Sequence, residues 1–165
     1  MIGSASGNGK TTFARELATR LEAPFHELDA LVHGPGWVET PDEELRAQVE
    51  PILASDGWVI DGAYQHKLGD RVLEAAELVV WLDLPVRVWL PRLARRTWRR
   101  IRGREELWNG NGESLASAVW GRESLVVWAF RSHVRRRRDW PRELGHLPVI
   151  RLRRPAEVAR FLDSA

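Results

Sequence analysis

Apolar positions along the chain recur with two spacings, one typical of amphipathic helices and one typical of buried strands. Phe13, Leu17 and Leu21 lie four residues apart, which predicts a helix over about residues 10–21 with one apolar stripe. Short continuous apolar runs between polar stretches predict buried strands. The strands predicted in this way cover residues 25–28, 58–61, 78–83 and 149–152.

Further helices are predicted between these strands. Thr40, Pro41 and Glu43 have the spacing of a capped helix start, and residues 29–40 before it contain a glycine-proline loop signature. Other helices are predicted over residues 86–102, 114–138 and 155–162. Strands that alternate with helices are typical of a parallel, layered α/β sheet, and 165 residues fit a single domain, 1–165.

The composition excludes several classes of protein. The chain has no cysteine, which rules out disulfide frameworks, thiolate nucleophiles and cysteine zinc sites. Its longest apolar runs, residues 78–82 and 125–130, are far shorter than the ~20 residues that cross a bilayer. The N-terminal segment is rich in glycine and serine and lacks the charged start and apolar stretch of a signal peptide. We therefore expect a cytoplasmic protein with no membrane partner.

The net charge of +2 hides a strong asymmetry between the two halves of the chain. Residues 1–83 contain 6 basic and 15 acidic side chains, a net charge of −9, whereas residues 84–165 contain 19 basic and 8 acidic side chains, a net charge of +11. Lys10 and Lys67 are the two lysines, and the other basic residues are arginine. Arginine gathered in one half indicates a site for an anion, and this distribution does not favour nucleic acid as the partner.

The strongest chemical signal is a glycine-rich segment that opens the first predicted helix. Its Gly-Lys-Thr ending is typical of a phosphate-binding loop, in which glycines let successive N–H groups point into one concavity. Lys10 would reach the β- and γ-phosphates of ATP, and the Thr11 hydroxyl would bind Mg²⁺. The alternative is a glycine-rich turn that only caps a helix. The predicted nucleotide-binding residues are Ser6, Gly7, Asn8, Gly9, Lys10, Thr11 and Thr12.

The segment departs from the phosphate-loop motif in two respects. Ser4 occupies the position of the motif's first glycine, since Gly3 lies one residue too early. Only Met1 and Ile2 precede Gly3, whereas a phosphate-binding loop normally follows a strand of ~5 residues. We therefore expect a truncated first strand, either because the natural chain starts earlier or because the domain has lost part of a central strand.

Several segments together resemble the adenylate-kinase-like P-loop proteins, and most closely a small bacterial group whose members are called adenylate kinase or topology modulation protein. The resemblance implies a three-layer P-loop fold, with a parallel sheet of about five strands, a truncated first strand and helices on both faces. It also implies an acceptor-binding segment over about residues 30–56 and an arginine-rich lid over about residues 95–115. The segments that carry the resemblance are Ser6-Gly7-Asn8-Gly9-Lys10-Thr11-Thr12, Glu27-Leu28-Asp29-Ala30-Leu31, Gly36-Trp37, Trp58-Val59-Ile60-Asp61-Gly62-Ala63-Tyr64 and Val80-Trp81-Leu82-Asp83-Leu84-Pro85.

Asp61 and Asp83 are the two candidates for a carboxylate at the Mg²⁺ site, because each ends a predicted buried strand. The resemblance favours Asp61, since an Asp-Gly pair after an apolar run holds Mg²⁺ through water in related kinases. Asp83 remains the competing candidate. Its alternative role is a helix-capping or turn carboxylate before Pro85.

Five residues are candidates for contacts with a phosphate acceptor. Asp29 follows the second predicted strand, at the edge where open α/β sheets bind ligands, and would serve as general base or positioner for an acceptor hydroxyl. Its alternative role is a turn carboxylate. Trp37 would stack on a base or ring, or would pack the loop onto the body of the protein. His33, Tyr64 and Asp61 complete the set.

Arginines at four-residue spacing mark one face of the helix predicted over residues 86–102. Arg92, Arg96 and Arg100 share this face, and Arg104 joins it if the helix continues. Guanidinium groups that close over bound nucleotides would clamp the transferring phosphoryl group. Arg96 and Arg100 are the predicted catalytic arginines, and Arg104 is a predicted nucleotide contact. The alternative is a solvated helix face.

A second arginine cluster, residues 135–138, is predicted to end the long helix, where the helix dipole favours cations. Binding of nucleic acid or of an anionic surface is the minority interpretation of this cluster. Trp120 and Trp128 on the same helix have a spacing that predicts core positions.

These patterns favour a monomeric small-molecule kinase that transfers the γ-phosphoryl group of ATP to a small acceptor with Mg²⁺. Lys10, Asp29, Arg96 and Arg100 would be its catalytic residues. A nucleoside monophosphate is the preferred acceptor, and a non-nucleotide small molecule is a further interpretation. The competing class is a nucleotide-binding regulator, or a nucleic-acid-associated protein, without kinase turnover.

Overall fold

A computed structural model of the chain describes residues 1–103, 109 and 125–165. Within these ranges short strands alternate with helices, which confirms the predicted α/β class. The strands are β1 (Ile2–Gly3), β2 (Phe25–Glu27), β3 (Val59–Asp61), β4 (Val79–Leu82) and β5 (Val149–Leu152). The helices are α1 (Lys10–Arg20), α2 (Leu28–Val32), α3 (Asp42–Leu53), α4 (Gln65–Leu68), α5 (Arg71–Glu74), α6 (Val86–Gly103), α7 (Leu125–Glu143) and α8 (Pro155–Asp163), and a 3₁₀ turn spans Pro35–Trp37.

The strand pairs are parallel, as the alternation of helices and strands predicts. Strand β4 is central in a sheet of order β1-β4-β5, in which Ile2 lies opposite Trp81 and Val79 opposite Val149. Strands β2 and β3 form a second pair. In parallel pairs the carboxyl ends of the strands lie at the same edge, which is where the loops after β1 and β3 begin.

The predicted sheet of about five strands is wrong at this level of detail, because the strands form one three-stranded and one two-stranded sheet. The first strand is as short as expected, and its two residues pair only with β4. Met1 joins the two sheets. Its amino group donates to the Ile60 carbonyl (2.6 Å) and its carbonyl accepts from the Gly62 N–H (3.0 Å), so β1 and β3 lie side by side at this residue.

Apolar side chains pack on both faces of the three-stranded sheet. On one face, Phe13 and Leu17 of α1 pack with Val80 and Leu82 in one buried cluster, as predicted. The third predicted position of this stripe, Leu21, is wrong, because the residue follows the end of α1 and is 51 % exposed. The other face carries Trp140 of α7 and Leu144, which directly follows this helix, packed with Ile2, Val79 and Trp81. Successive residues of β4 therefore serve opposite faces, as the pleat of a strand requires.

The acceptor-binding segment folds differently from its sequence prediction. The segment predicted as a loop over residues 29–40 contains helix α2 and the 3₁₀ turn, so Asp29 lies in the first turn of a helix rather than at a strand end. Thr40 does not cap α3, because its hydroxyl donates to the Leu31 carbonyl (2.6 Å). Leu45 and Val49 are buried as predicted, and α3 continues through Pro51 to Leu53.

Helices α6 and α7 carry most of the arginines that line the cleft described below. Helix α6 buries Trp89, Leu93 and Thr97, whereas α7 continues past the predicted end at Arg138 to Glu143. The remainder of the predicted lid lies outside the described residues, as do Arg104 and Trp120. Within the described parts of the chain, no helix combines the length and the apolar character that crossing a membrane requires.

Candidate functional site

The glycine-rich segment forms a loop between β1 and α1. Gly7 and Gly9 adopt left-handed backbone conformations, with φ of 82° and 86°, and Gly9 is the N-cap residue of α1. L side chains rarely adopt this region, which is why glycine occupies both positions. The loop therefore lies directly before the N–H groups at the start of α1, the end of a helix that attracts anions.

Gly7 is also required by packing. A Cβ at this position would lie 2.7 Å from the Trp89 carbonyl oxygen and 2.9 Å from the Leu93 Cβ of α6. At Gly57 the backbone is also left-handed, with φ of 70°, but a Cβ there would meet nothing within 4 Å. The two glycines therefore separate the effect of backbone strain from the effect of a clash.

We predict that Gly7→Ala destabilises the protein more than Gly57→Ala does. The left-handed backbone costs each variant about 1–2 kcal/mol, and the clash with α6 adds about 1–3 kcal/mol at position 7. Urea unfolding of both variants measures the difference. Equal free energies of unfolding would show that α6 does not restrain the loop.

Lys10 lies across the start of the loop. A Cβ at Gly3 would be only 2.8 Å from Lys10 Cδ, so the lysine side chain runs back over Gly3 towards the end of β1. Asn8 is 2 % exposed, and its side-chain amide donates to the Ala5 carbonyl (3.1 Å). Ser6, Gly7, Asn8, Gly9, Lys10, Thr11 and Thr12, the predicted nucleotide-binding residues, all line one cleft.

Thr11 and Asp61, the two predicted Mg²⁺ residues, lie together in the structure. The Thr11 hydroxyl donates to Asp61 Oδ2 at 2.5 Å, although the residues are 50 positions apart. Asp61 is 3 % exposed, and its other oxygen, Oδ1, is buried without a hydrogen bond from the described residues. A hydroxyl and a carboxylate with one unsatisfied oxygen fit Mg²⁺, which takes few protein ligands and keeps water and phosphate oxygens.

Asp83, the competing candidate, belongs to a different part of the molecule. It is 1 % exposed and accepts hydrogen bonds from Ser4 Oγ (2.7 Å) and from Nε and Nη2 of Arg151 (3.0 and 2.7 Å). Arg137 Nε lies 3.2 Å from the same carboxylate. Two arginines and a serine occupy the oxygens of Asp83, which therefore connects β4 to β5, α7 and the start of the glycine-rich loop. It is neither a helix cap nor a free metal ligand.

Ser4 is the residue whose role the sequence did not predict. Its buried hydroxyl donates to Asp83 and accepts a hydrogen bond from Trp81 Nε1 (2.8 Å), which ties the start of the loop to β4. The serine that replaces glycine at this position of the motif therefore attaches the loop to β4 through hydrogen bonds that glycine could not form. A serine next to a buried strand end was the only available signal, and its partners are 77 and 79 residues away.

Asp29, His33 and Tyr64 form a hydrogen-bonded group on the acceptor side of the cleft. Tyr64 OH donates to Asp29 Oδ1 (2.6 Å) and lies 3.2 Å from His33 Nε2. Tyr64 has a left-handed backbone, with φ of 45°, just before α4. Burial, followed by the charge of and hydrogen bond to Asp29, raises the pKa of the Tyr64 phenol, so Tyr64 stays protonated and donates.

Trp37 lies beside this group. Its ring contacts His33 edge-on, with centroids 5.4 Å apart, and the residue is 42 % exposed. Both roles predicted for Trp37 are compatible with this position. The exposed ring leaves room for stacking on a ligand, and the contact with His33 packs the ring against its own loop. Asn109 Nδ2 donates to the His33 carbonyl (2.6 Å), which brings this residue of the predicted lid to the acceptor segment.

The predicted arginine face of α6 is turned towards the cleft. Arg92, Arg96 and Arg100 line it together with Arg99, and Arg92 Nη1 lies 3.7 Å from the place of a Cβ at Gly9. Arg92 therefore lies next to the glycine-rich loop, and the other three arginines line the same cleft. Arg104, the predicted nucleotide contact, lies outside the described residues.

The second arginine cluster does not end a helix, and one of its members, Arg136, is partly buried. Arg136 Nη1 donates to the Gly3 carbonyl (2.9 Å), and its guanidinium lies 5.1 Å from the Trp140 ring centroid and 5.7 Å from that of Trp128. Burial, and secondly the charge of Arg135, lowers the pKa of Arg136. The predicted core position of Trp128 is wrong, since this residue is 47 % exposed and lines the cleft.

The cleft has a volume of about 1690 Å³ and brings these groups together. Its lining combines the loop and the arginines of α6 and α7 with acidic and aromatic residues of the acceptor segment. All the described site residues predicted from the sequence line this cleft except Asp61, which is buried beneath Thr11.

Comparison of the chain with protein-family models finds no match, and comparison with curated protein sequences finds none either. The adenylate-kinase-like resemblance therefore stays a prediction that depends on the motifs. The function must be argued from the site itself.

Proposed function

We propose that the protein is a small-molecule kinase that binds ATP with Mg²⁺ and transfers the γ-phosphoryl group to a small acceptor. The observation that carries this proposal is that the glycine-rich loop, Thr11 and the arginines of α6 line one cleft, with Asp61 hydrogen-bonded to Thr11. Phosphoryl transfer depends mainly on positioning and on charge stabilisation, and these groups supply both.

The fold proposed for this activity is a P-loop fold in which the two sheets act as one. The two hydrogen bonds of Met1 support this proposal, because a sheet continuous through Met1 would have the strand order β2-β3-β1-β4-β5. This order would put the loop after β1 at the centre, between the groups that follow β3 and β4. The main-chain N–H groups of the loop would then surround the β-phosphate, and Lys10 would reach the γ-phosphate.

Thr11 and Asp61 are the residues that would hold Mg²⁺, with Asp61 acting directly or through water. Bound there, the ion would neutralise charge on the phosphate oxygens. Arg96 and Arg100 would approach the transferring group from α6, because a guanidinium fork matches two phosphate oxygens. Asp29 would accept the proton of the attacking acceptor hydroxyl, with Tyr64 fixing the orientation of its carboxylate.

An assay of ADP formation across small acceptors tests the proposal. We expect ADP to form only when ATP, Mg²⁺ and an acceptor are all present. Tight ATP binding with no turnover for any acceptor would contradict kinase activity. That outcome would favour the competing class, a nucleotide-binding regulator or nucleic-acid-associated protein.

We predict that Thr11→Val raises the Mg²⁺ concentration needed for half-maximal activity by roughly tenfold or more, because a hydroxyl ligand is lost. Thr19→Val is the matched control on the same helix. The exposed Thr19 hydroxyl donates only to the Arg15 carbonyl (3.0 Å) of its own helix. Mg²⁺ titrations of both variants check the prediction, and an unchanged Mg²⁺ requirement in Thr11→Val would remove Thr11 from the metal site.

A further inference from the structure

The two sides of the cleft differ in charge. On the acceptor side, between residues 27 and 66, the lining includes Glu27, Asp29 and Glu39 but no arginine or lysine. Arg15 of α1 lines the cleft as well and pairs with Glu27 (3.0 Å). The other cations of the lining belong to the start of α1 and to α6 and α7, whose lining also includes Asp139 and Glu143: Lys10, Arg92, Arg96, Arg99, Arg100, Arg135 and Arg136. Residues 104–124, which are mostly outside the described ranges, contain four glutamates and two arginines in sequence and so add no net positive charge.

Two cations in or next to the acceptor segment, Lys67 and Arg46, are engaged in contacts with other residues of the protein. Lys67 is 8 % exposed, and its Nζ lies 3.0 Å from both Glu39 Oε2 and Asp42 Oδ1. Arg46 donates through Nε and Nη2 to the Lys67 carbonyl (3.2 and 3.1 Å). Neither side chain lines the cleft, so neither is placed to bind an anionic group of an acceptor.

Asp29 keeps its charge uncompensated by a cation. Among the described residues no arginine or lysine lies within ion-pair distance of it, and its hydrogen-bond donor is the neutral phenol of Tyr64. Oδ1 accepts this bond, and no described residue donates to Oδ2. One carboxylate oxygen is therefore open towards an acceptor hydroxyl.

The same side offers a ring surface. Trp37 is 42 % exposed and is held by the edge-on contact with His33, whose ring centroid is 6.3 Å from that of Tyr64. Aromatic faces next to carboxylates attract neutral rings and cations, and they do not attract anions.

From these observations, and resting on the proposed kinase activity, we propose that the acceptor is an alcohol without an anionic group, neutral or cationic. Glu27 pairs with Arg15 and Glu39 with Lys67, which leaves Asp29 as the acidic side chain of this lining without a cationic partner among the described residues. A phosphate on an acceptor whose hydroxyl meets Asp29 would lie near this charge, at a cost of like-charge repulsion. The nucleoside monophosphate predicted from the sequence would meet this repulsion, whereas a nucleoside, a sugar or an amino alcohol would not.

The step balances without a further reactant. The acceptor hydroxyl oxygen forms a bond to the γ-phosphorus while the bond from that phosphorus to the β–γ bridging oxygen breaks. The hydroxyl proton passes to Asp29 Oδ2 and then to solvent. The products are a phosphate ester of the acceptor, ADP and one proton.

Matched acceptor pairs test this inference by steady-state ADP formation at saturating ATP and Mg²⁺. The pairs are adenosine with AMP, glucose with glucose 6-phosphate, and choline with phosphocholine. We expect kcat/KM to favour the unphosphorylated member of each reactive pair by roughly tenfold or more. Faster turnover of the phosphorylated members would overturn the inference and leave the kinase proposal standing. No ADP formation with any acceptor would overturn both.

Substitutions of Asp29 and Trp37 test their roles through acceptor preference and KM of the acceptor. A purely structural role of either residue would not change these two quantities selectively. In Asp29→Asn we expect kcat to fall by roughly 10²-fold, and the preference for unphosphorylated acceptors to narrow because a negative charge is gone. In Trp37→Ala we expect KM of the acceptor to rise with little change in KM of ATP. Asp56→Asn, in an exposed turn, is the control and should alter neither. An unchanged preference in Asp29→Asn would show that Asp29 does not select the acceptor.

Discussion

Lys10→Met is expected to lower ATP-dependent turnover by roughly 10³-fold while leaving the protein folded. The lysine crosses Gly3 at the start of the loop and lines the cleft, so its ammonium is the charge placed to meet the β- and γ-phosphates. Methionine keeps the length of the side chain and removes only this charge. ADP formation measures the activity, and thermal unfolding shows whether the fold is retained.

The other lysine provides the control for this experiment. Lys67 is buried against Glu39 and Asp42 and does not line the cleft. We expect Lys67→Met to lower the thermal unfolding temperature but to leave KM of ATP unchanged for the molecules that remain folded. Full activity in Lys10→Met, or equal loss of activity in both variants, would contradict the assignment of the loop.

Asp83→Asn is expected to have the largest effect on stability, a loss of about 3–5 kcal/mol. The substitution removes the negative charge that holds Arg151 and Arg137 (2.7 and 3.2 Å) and perturbs the acceptor of the Ser4 hydroxyl. These groups lie around a carboxylate that is fully buried, so water cannot replace it easily.

Urea unfolding measures this loss. Asp163→Asn is the comparison, since Asp163 is exposed and lies 3.8 Å from Arg20 at the surface, where we expect little change. A small effect in both variants would show that the network of Asp83 contributes little to the fold. Retained Mg²⁺ dependence in folded Asp83→Asn would further support Asp61 as the metal carboxylate.

Local patterns predicted the parts of the structure that depend on neighbours in sequence. The spacing of Phe13 and Leu17 predicted α1, and the Gly-Lys-Thr segment predicted a loop whose Gly7 and Gly9 are left-handed. Thr11 and Asp61 were both expected at the Mg²⁺ site, Thr11 from the phosphate-loop motif and Asp61 from the resemblance, and their side chains are hydrogen-bonded to each other.

Contacts between distant segments account for what the sequence did not predict. The short β1 was expected, but the division into a three-stranded and a two-stranded sheet was not, because it depends on pairing between strands that are distant in sequence. The position of Asp29 in a helix follows from α2, whose Leu28 and Val32 are buried in a cluster with Leu45. A five-residue helix gives too short a pattern to be recognised from periodicity.

The contacts of the arginines of α7 could not be predicted from a run of like charges. Residues 135–138 look like a solvated helix end, but Arg136 reaches Gly3 and Arg137 reaches Asp83. Arg136 lies one turn from Trp140 and two turns from Trp128, a spacing that places all three on one stripe of the helix. That stripe was visible in the sequence, but its partner in β1 was not.

Isothermal titration calorimetry of the wild-type protein with Mg²⁺ and adenine nucleotides tests the central claim, that the loop before α1 binds the phosphates of a nucleotide. We predict one site per chain for ATP and for ADP, much weaker binding of AMP, and loss of ATP affinity in Lys10→Met. The ranking follows because the loop and Lys10 contact the β- and γ-phosphates, which AMP lacks. Absence of ATP binding to the folded wild-type protein, or equal affinity in Lys10→Met, would contradict it.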